Sequence, residues 1–159
     1  MSTFKEKIEV SIDMPSRNHS KLQGRITTLL TIEYEQIYDI FTELSIQMND
    51  KNYEPDIAIY PISEENWRHD EIIVKSAPIT IIEILSPTQG VQELIDKFEE
   101  YFNAGVKSCW LVIPNLEIIE VFTGNTAHKQ TFTQGTITDN ASNISLSFDR
   151  IFRRRVKIF

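Results

Sequence analysis

Three charged side chains stand where their types and spacing could do chemistry. Glu83 lies inside Ile79-Thr80-Ile81-Ile82-Glu83-Ile84-Leu85, a run otherwise suited to burial. A carboxylate there costs free energy unless it is paired, hydrogen-bonded or bound to a metal. With the two-residue period of a strand, Glu83 shares a face with Ile81 and Leu85, not with Ile82 and Ile84. Asp56 follows Pro55 and opens the alternation of Ile57 and Ile59, 27 positions before Glu83. Neighbouring strands lie about 4.8 Å apart, so carboxylates at matched height on two of them can share one divalent cation. Lys97 flanks the apolar face of a helix, three after Leu94 and four before Tyr101. Folded back over the end of the preceding strand, it would stand where ligands sit in open α/β sheets. The set suits metal-assisted phosphodiester hydrolysis. Mg2+ or Mn2+ on the two carboxylates polarises the phosphate and acidifies a bound water, and a lysine offsets charge developing on phosphorus. Each residue also has a plainer reading. Glu83 could lie at a strand edge or pair with a lysine, Asp56 could be a turn residue, and Lys97 could be a solvated partner of Glu93 or Glu100.

The elements that must position these residues follow from hydrophobic period. Ile8, Val10 and Ile12 alternate as in a short strand. Leu22, Ile26, Leu29, Ile37, Ile40 and Leu44 predict a helix over 20–44, capped by Ser16, Asn18 or Ser20, with Glu33 on its apolar stripe. Residues 45–48 and 56–60 read as strands about a polar turn at 49–52, and 61–71 as a polar loop. The β-branched run at 79–85 marks a strand buried on both faces. Val91, Leu94, Ile95, Phe98, Tyr101 and Phe102 give a clear helix, with Gly105 placed to end it. Strands at 109–113 and 117–123 follow, then a hairpin turn at Gly124-Asn125, a returning strand at 129–133 and a last one at 144–148. A buried strand, a helix and another buried strand form a crossover unit. The expected architecture is one α/β domain over 1–159, with a mixed central sheet flanked by helices and extra antiparallel strands towards the C-terminus.

Several segments together resemble the Uma family of putative restriction endonucleases, a branch of the PD-(D/E)XK nuclease superfamily. They are Pro55-Asp56-Ile57-Ala58-Ile59, Ile82-Glu83-Ile84-Leu85-Ser86-Pro87-Thr88, Lys97 with Tyr101, Ala104-Gly105-Val106 and Trp110-Leu111-Val112. The likeness runs over roughly 14–152, taking in Pro15 with His19, Gly135, Ile144-Ser145-Leu146 and Ile151-Phe152. It implies the superfamily's αβββαβ core, with Asp56 and Glu83 as the motif acids and metal ligands. Leu85 stands where the parent pattern has its lysine, and Lys97 on the following helix is the family's substitute. The resemblance also implies a third acid, for which Glu33 and Glu9 are candidates. His19 and Tyr101 match family positions. His19 would more simply be a helix-start hydrogen-bond donor, and Tyr101 a packing residue.

Charge bounds the partners. Sixteen basic residues face 23 acidic ones, a net charge of −7. Such a chain does not hold nucleic acid by a general positive field. Arg150, Arg153, Arg154, Arg155 and Lys157 are clustered at the end, and without them 11 basic residues oppose 23 acids, or −12. That tail reads as a solvated charged end, a phosphate contact or a belt at a dimer interface. The single cysteine, Cys109, lies in an apolar strand and reads as inert core. No apolar run approaches a membrane span, and the start is no signal peptide, so cytoplasm is expected. Two functions remain: a Mg2+-dependent DNA endonuclease, with homodimerisation expected, or a catalytically inactive module of the same fold that binds nucleic acid or protein.

Overall fold

A six-stranded mixed sheet organises the computed structural model, which describes residues 15–152. Helix α1 (Arg17–Tyr34) precedes β1 (Tyr38–Thr42), the short hairpin of β2 (Ile46–Met48) and β3 (Lys51–Tyr53), then β4 (Ile57–Pro61) and β5 (Thr80–Ile84). Helix α2 (Val91–Asn103) crosses over to β6 (Ser108–Ile113), followed by β7 (Ile118–Thr123) and β8 (Lys129–Phe132). The hairpin of β9 (Thr136–Asp139) and β10 (Ile144–Ser147) and the short helix α3 (Phe148–Phe152) complete the described chain. The sheet order is β1-β4-β5-β6-β7-β8, parallel only between β5 and β6. Its elements therefore run helix, three strands, helix, strand (α1, β1, β4, β5, α2, β6), with two antiparallel strands added beyond.

Alternation along the buried strands divides the core between two layers. Ile57, Ile59, Ile82, Ile84, Trp110 and Val112 meet α1 through Leu22, Ile26, Leu29 and Leu30. Ala58, Ile81, Cys109, Leu111 and Phe122 meet α2 through Leu94, Phe98 and Tyr101. Each fully buried side chain of this size contributes about 1.5–3 kcal/mol. Ser16 caps α1, its Oγ accepting from the His19 N–H at 3.2 Å. Gly105 takes φ +103° just past α2, where the Val106 N–H bonds the Tyr101 carbonyl and the Gly105 N–H that of Phe102.

Three expectations need correction. The helix predicted over 20–44 stops at Tyr34, and Tyr38–Thr42 is the edge strand β1, paired with β4 from Tyr38↔Pro61 to Thr42↔Ile57. Ile37 and Ile40 continue the helical spacing by coincidence, but Ile37 is exposed, and Tyr38, Ile40 and Phe41 have the aromatic and β-branched shapes that suit a pleated surface. The turn expected at 49–52 is tighter, because Lys51 and Asn52 already pair in β3. Strand β9 went unforeseen. Its inward positions are Ile137 and Asp139, and an acid hides the alternation. The strand expected near Ile8–Ile12 lies outside the described residues. No helix among the described residues is long and apolar enough to cross a membrane.

Candidate active site

Asp56 immediately precedes β4 and Glu83 is the next-to-last residue of β5. The antiparallel register pairs Ile57 with Ile82, so one step further Asp56 faces Glu83, on the same side of the sheet. The Asp56 carboxylate also bridges back to β5: its Oδ2 accepts the Ile84 N–H at 2.7 Å. The same oxygen accepts His19 Nε2–H at 3.0 Å. A carboxylate can only accept, so Nε2 carries the proton. Both donors fall on Oδ2, and Oδ1 takes none of the hydrogen bonds formed among the described residues. Four residues along α1, Gln23 donates to the Asp56 carbonyl at 2.9 Å. One face of α1 thus fixes both the side chain and the backbone of Asp56.

Glu83 is held from the other layer. It is only 6% exposed, and the Tyr101 hydroxyl donates to its Oε1 at 3.1 Å. Burial pushes the Glu83 carboxyl up to about 8, the charge of Asp56 adds to the rise, and the Lys97 ammonium, the Tyr101 hydroxyl and a backbone hydrogen bond from Asp56 oppose it. Tyr101 is raised well above the ordinary phenol range by burial and then by Glu83. Half-buried Lys97, one turn before Tyr101, lies within charge range of both Glu83 and Glu100. Glu100 is otherwise occupied by Tyr53 at 2.6 Å and Lys51 at 3.0 Å, which lower it. The ammonium of Lys97 is therefore not consumed by a close ion pair within α2.

The fold brings Asp56, Glu83 and Lys97 together, with Tyr101 and His19 behind the carboxylates. Tyr101 packs in the core and also donates to Glu83, and His19 is a helix-start hydrogen-bond donor whose acceptor is Asp56. Gln23 went unremarked in the sequence; its signal is its place four residues after His19. Glu33 is not part of the cluster. It lies 14 residues beyond His19 on α1, roughly 21 Å along the axis, and bonds Arg150 Nη1 at 3.5 Å. Glu9 lies outside the described residues. Cys109 is buried and its thiol is pushed up by burial, then by Glu83 and Asp139, as suits inert core.

Two carboxylates fit a hard, oxygen-seeking divalent cation such as Mg2+ or Mn2+ better than a metal that seeks thiolate or imidazole ligands. Among the described residues no three His, Cys, Asp or Glu are grouped to hold an ion. Mg2+ commonly needs no more than one or two carboxylates, keeping waters and taking substrate phosphate oxygens for the rest. The mutual repulsion that helps raise Glu83 is what such a cation would relieve. A hollow of about 370 Å³ opens two to three residues along the chain from Glu83, lined by the cap Ser16, by Arg17 and Asn18 of α1, by Leu85 and Ser86 just past β5, and by Pro114 and Asn115 past β6. It lies at the carboxyl ends of the two parallel strands.

Comparison with known proteins points the same way. The family model Uma2, described as a putative restriction endonuclease, matches residues 4–148. The fold is similar to the crystal structure of a putative nuclease belonging to DUF820 from Anabaena variabilis, with a TM-score of 0.75 and 24% identity over 88% of this chain and 83% of that one. No curated protein sequence matches.

Proposed function

The chain belongs to the Uma2 family of putative restriction endonucleases, and from that premise we propose that it is a metal-dependent endonuclease of the PD-(D/E)XK type that hydrolyses phosphodiester bonds in DNA. The observation that carries this reading is the carboxyl pair, part-buried Asp56 facing buried Glu83 at the ends of β4 and β5 with Lys97 in charge range. Asp56 and Glu83 would hold Mg2+ or Mn2+, which when bound would polarise the phosphate as a Lewis acid and lower the pKa of a water. Lys97 orients the attacking water and offsets the charge that develops on the phosphoryl oxygens. His19 and Tyr101 are positioning residues, each fixing one carboxylate oxygen so that the opposed pair does not swing apart. Glu83 lies on the face of β5 that carries Ile81 and packs with Leu94 and Phe98 of α2, and its burial strengthens the charge interactions it makes. Cutting both strands of a duplex takes two such sites, and we take a two-fold dimer as the cutting unit; a solution mass near 18.5 kDa under cleavage conditions speaks against that part.

The test is cleavage of plasmid and linear DNA with Mg2+ or Mn2+, comparing wild type with Asp56→Ala, Glu83→Ala and Lys97→Ala. Wild type is expected to cut. Each variant is expected to lose on the order of a hundredfold or more in rate, and the two carboxylate variants to lose Mn2+ binding as well. A wild type that cuts nothing and binds no Mn2+ sinks the reading.

A further inference from the structure

The carboxylate site leaves one strongly charged surface unused. Among the described residues ten basic side chains face twenty acidic ones. Four of the ten, Arg17, Lys21, Arg25 and Arg150, line two adjoining grooves along α1. The three on α1 recur every fourth residue, so they form one stripe roughly 12 Å long. The only acid of that helix is Glu33 near its end, and Arg150 already answers it. In a chain with a net charge of −7, four basic side chains face two acids along these grooves, Glu117 and Asp149, and Arg17 and Lys21 form no ion pair among the described residues.

Its position relates it to the site. The larger groove, about 680 Å³, shares Arg17, Asn18, Pro114 and Asn115 with the hollow that opens over Leu85 and Ser86. Ser86 is three residues past Glu83 on the same stretch of chain. The stripe therefore begins at the mouth beside the carboxylates and runs away from it. Arg25 spends its guanidinium on the carbonyls of Ile151, at 2.8 Å, and Arg150, fastening α3 to α1. Arg17 and Lys21 are exposed, and Arg17 commits one of its five donors to Asn18 at 3.2 Å. Between Lys21 and Arg25 the groove floor is Gly24. A glycine inside a helix costs about 1 kcal/mol relative to alanine, and a Cβ there would meet no atom within 4 Å. Nothing inside the fold asks for this glycine, which leaves the floor open to close approach from outside.

We infer that this face of α1 is the track on which the phosphate backbone of one DNA strand lies as it runs to or from the Asp56–Glu83 site, with Arg17 and Lys21 as its phosphate contacts. The inference rests on the nuclease reading and adds the surface that holds the substrate. Arg17 and Lys21 lie four residues apart, roughly 6 Å along the helix axis, so the pair can meet two successive phosphates of one strand. A local patch also reconciles DNA binding with an acidic chain, because screening confines each charge to its neighbourhood.

The experiment measures binding of a fluorescein-labelled DNA duplex by anisotropy across a salt series, with Ca2+ in place of Mg2+ so that binding is read without cleavage. It compares wild type, Arg17→Gln/Lys21→Gln and the control Lys107→Gln, an exposed lysine beside the opposite end of β6. Each lost phosphate contact removes about 0.9 from the slope of log K against log salt. The double variant should show a slope shallower by about two. Its affinity should fall roughly tenfold less than wild type's between ~50 and ~200 mM salt. Melting temperatures establish that all three proteins are folded. A double variant that binds with the wild-type slope overturns the track, as does a wild type that binds no duplex. Cleavage by wild type with Mn2+, run beside these, separates the two ideas. Cutting with an unchanged slope leaves the nuclease and removes the track. A shallower slope with no cutting keeps the track as a DNA-binding surface and removes the nuclease.

Discussion

Replacing Glu83 by glutamine should stabilise the metal-free protein, and by an amount that depends on pH. In the unfolded chain this carboxyl titrates near 4.5, and in the fold burial and Asp56 push it up to about 8. Between those values the folded state holds a proton that the unfolded state has released. Stability therefore falls as pH rises. Below pH 4.5 both states are protonated and nothing is lost; above 8 the full penalty is present. At pH 8 the difference of about 3.5 pKa units corresponds to roughly 4 kcal/mol. A glutamine has no such titration, so its stability relative to wild type should climb by that amount from pH 5 to pH 8. For a domain of this size 1 kcal/mol moves the melting temperature by about 2–4 °C, so the gap between the two should widen by roughly 10 °C. Differential scanning calorimetry of both proteins across this range, with chelator present, reads the effect. Comparing the change in the gap cancels any fixed packing difference between the two side chains. Added Mg2+ should raise wild type more than the variant, because a cation favours the ionised pair. Melting curves that stay parallel from pH 5 to pH 8 would refute the burial of Glu83 against Asp56 on which the site depends.

Other perturbations test the surroundings of the pair. His19→Ala leaves Asp56 Oδ2 with the Ile84 N–H alone and should weaken Mn2+ binding about 10–100-fold, read by calorimetric titration, with His19→Gln recovering part of the loss and the KM for DNA unchanged. Gly24→Ala should stabilise by about 1 kcal/mol, raising the melting temperature by about 2–4 °C; a fall would mean that the exposed face of α1 is not open as described. Asp139→Asn should cost about 3 kcal/mol at neutral pH, because a buried carboxylate that accepts four hydrogen bonds loses acceptor capacity to an amide; chemical denaturation would show it, and a loss under 1 kcal/mol would contradict the network.

The sequence made the candidate site legible because its three charged residues stand out from their local patterns. Glu83 interrupts a β-branched run, Asp56 opens one, and Lys97 lies at the edge of an apolar helix face, so the three could be found without knowing how the strands pair. The supports behind them break no pattern. His19 and Gln23 are ordinary residues on a helix surface, and only the approach of α1 to the start of β4 turns them towards Asp56. Glu33 shows the opposite error: it broke the apolar stripe, but the rise of the helix carries it away from the site to Arg150. The misjudged end of α1 has a similar origin, since Ile37 and Ile40 satisfy a helical period that the chain abandons once Tyr38 can pair with Pro61. Local spacing cannot report a long-range partner.

Two carboxylates are buried against the same sheet, and the contrast between them separates structure from chemistry. Asp139 is 1% exposed. Its Oδ2 accepts from Ser108 at 2.6 Å and Trp110 at 2.8 Å. Its Oδ1 accepts the N–H groups of Ala141 at 3.0 Å and Ser142 at 3.4 Å. Thr80 in turn donates to Ser108, whose proton is already given to Asp139. Every donor near this group belongs to the fold, and the network joins β5, β6 and β9. Glu83 is almost as buried, yet it takes one side-chain hydrogen bond, from Tyr101, and faces a second carboxylate. A residue retained only for packing would do better there as leucine or isoleucine, and one retained only for a hydrogen bond to Tyr101 would do better as glutamine. Glutamate is the choice that costs stability while the protein stands alone, and under the proposed function a bound cation would return it. That asymmetry, absent at Asp139, is the physical reason for assigning chemistry to one buried acid and architecture to the other.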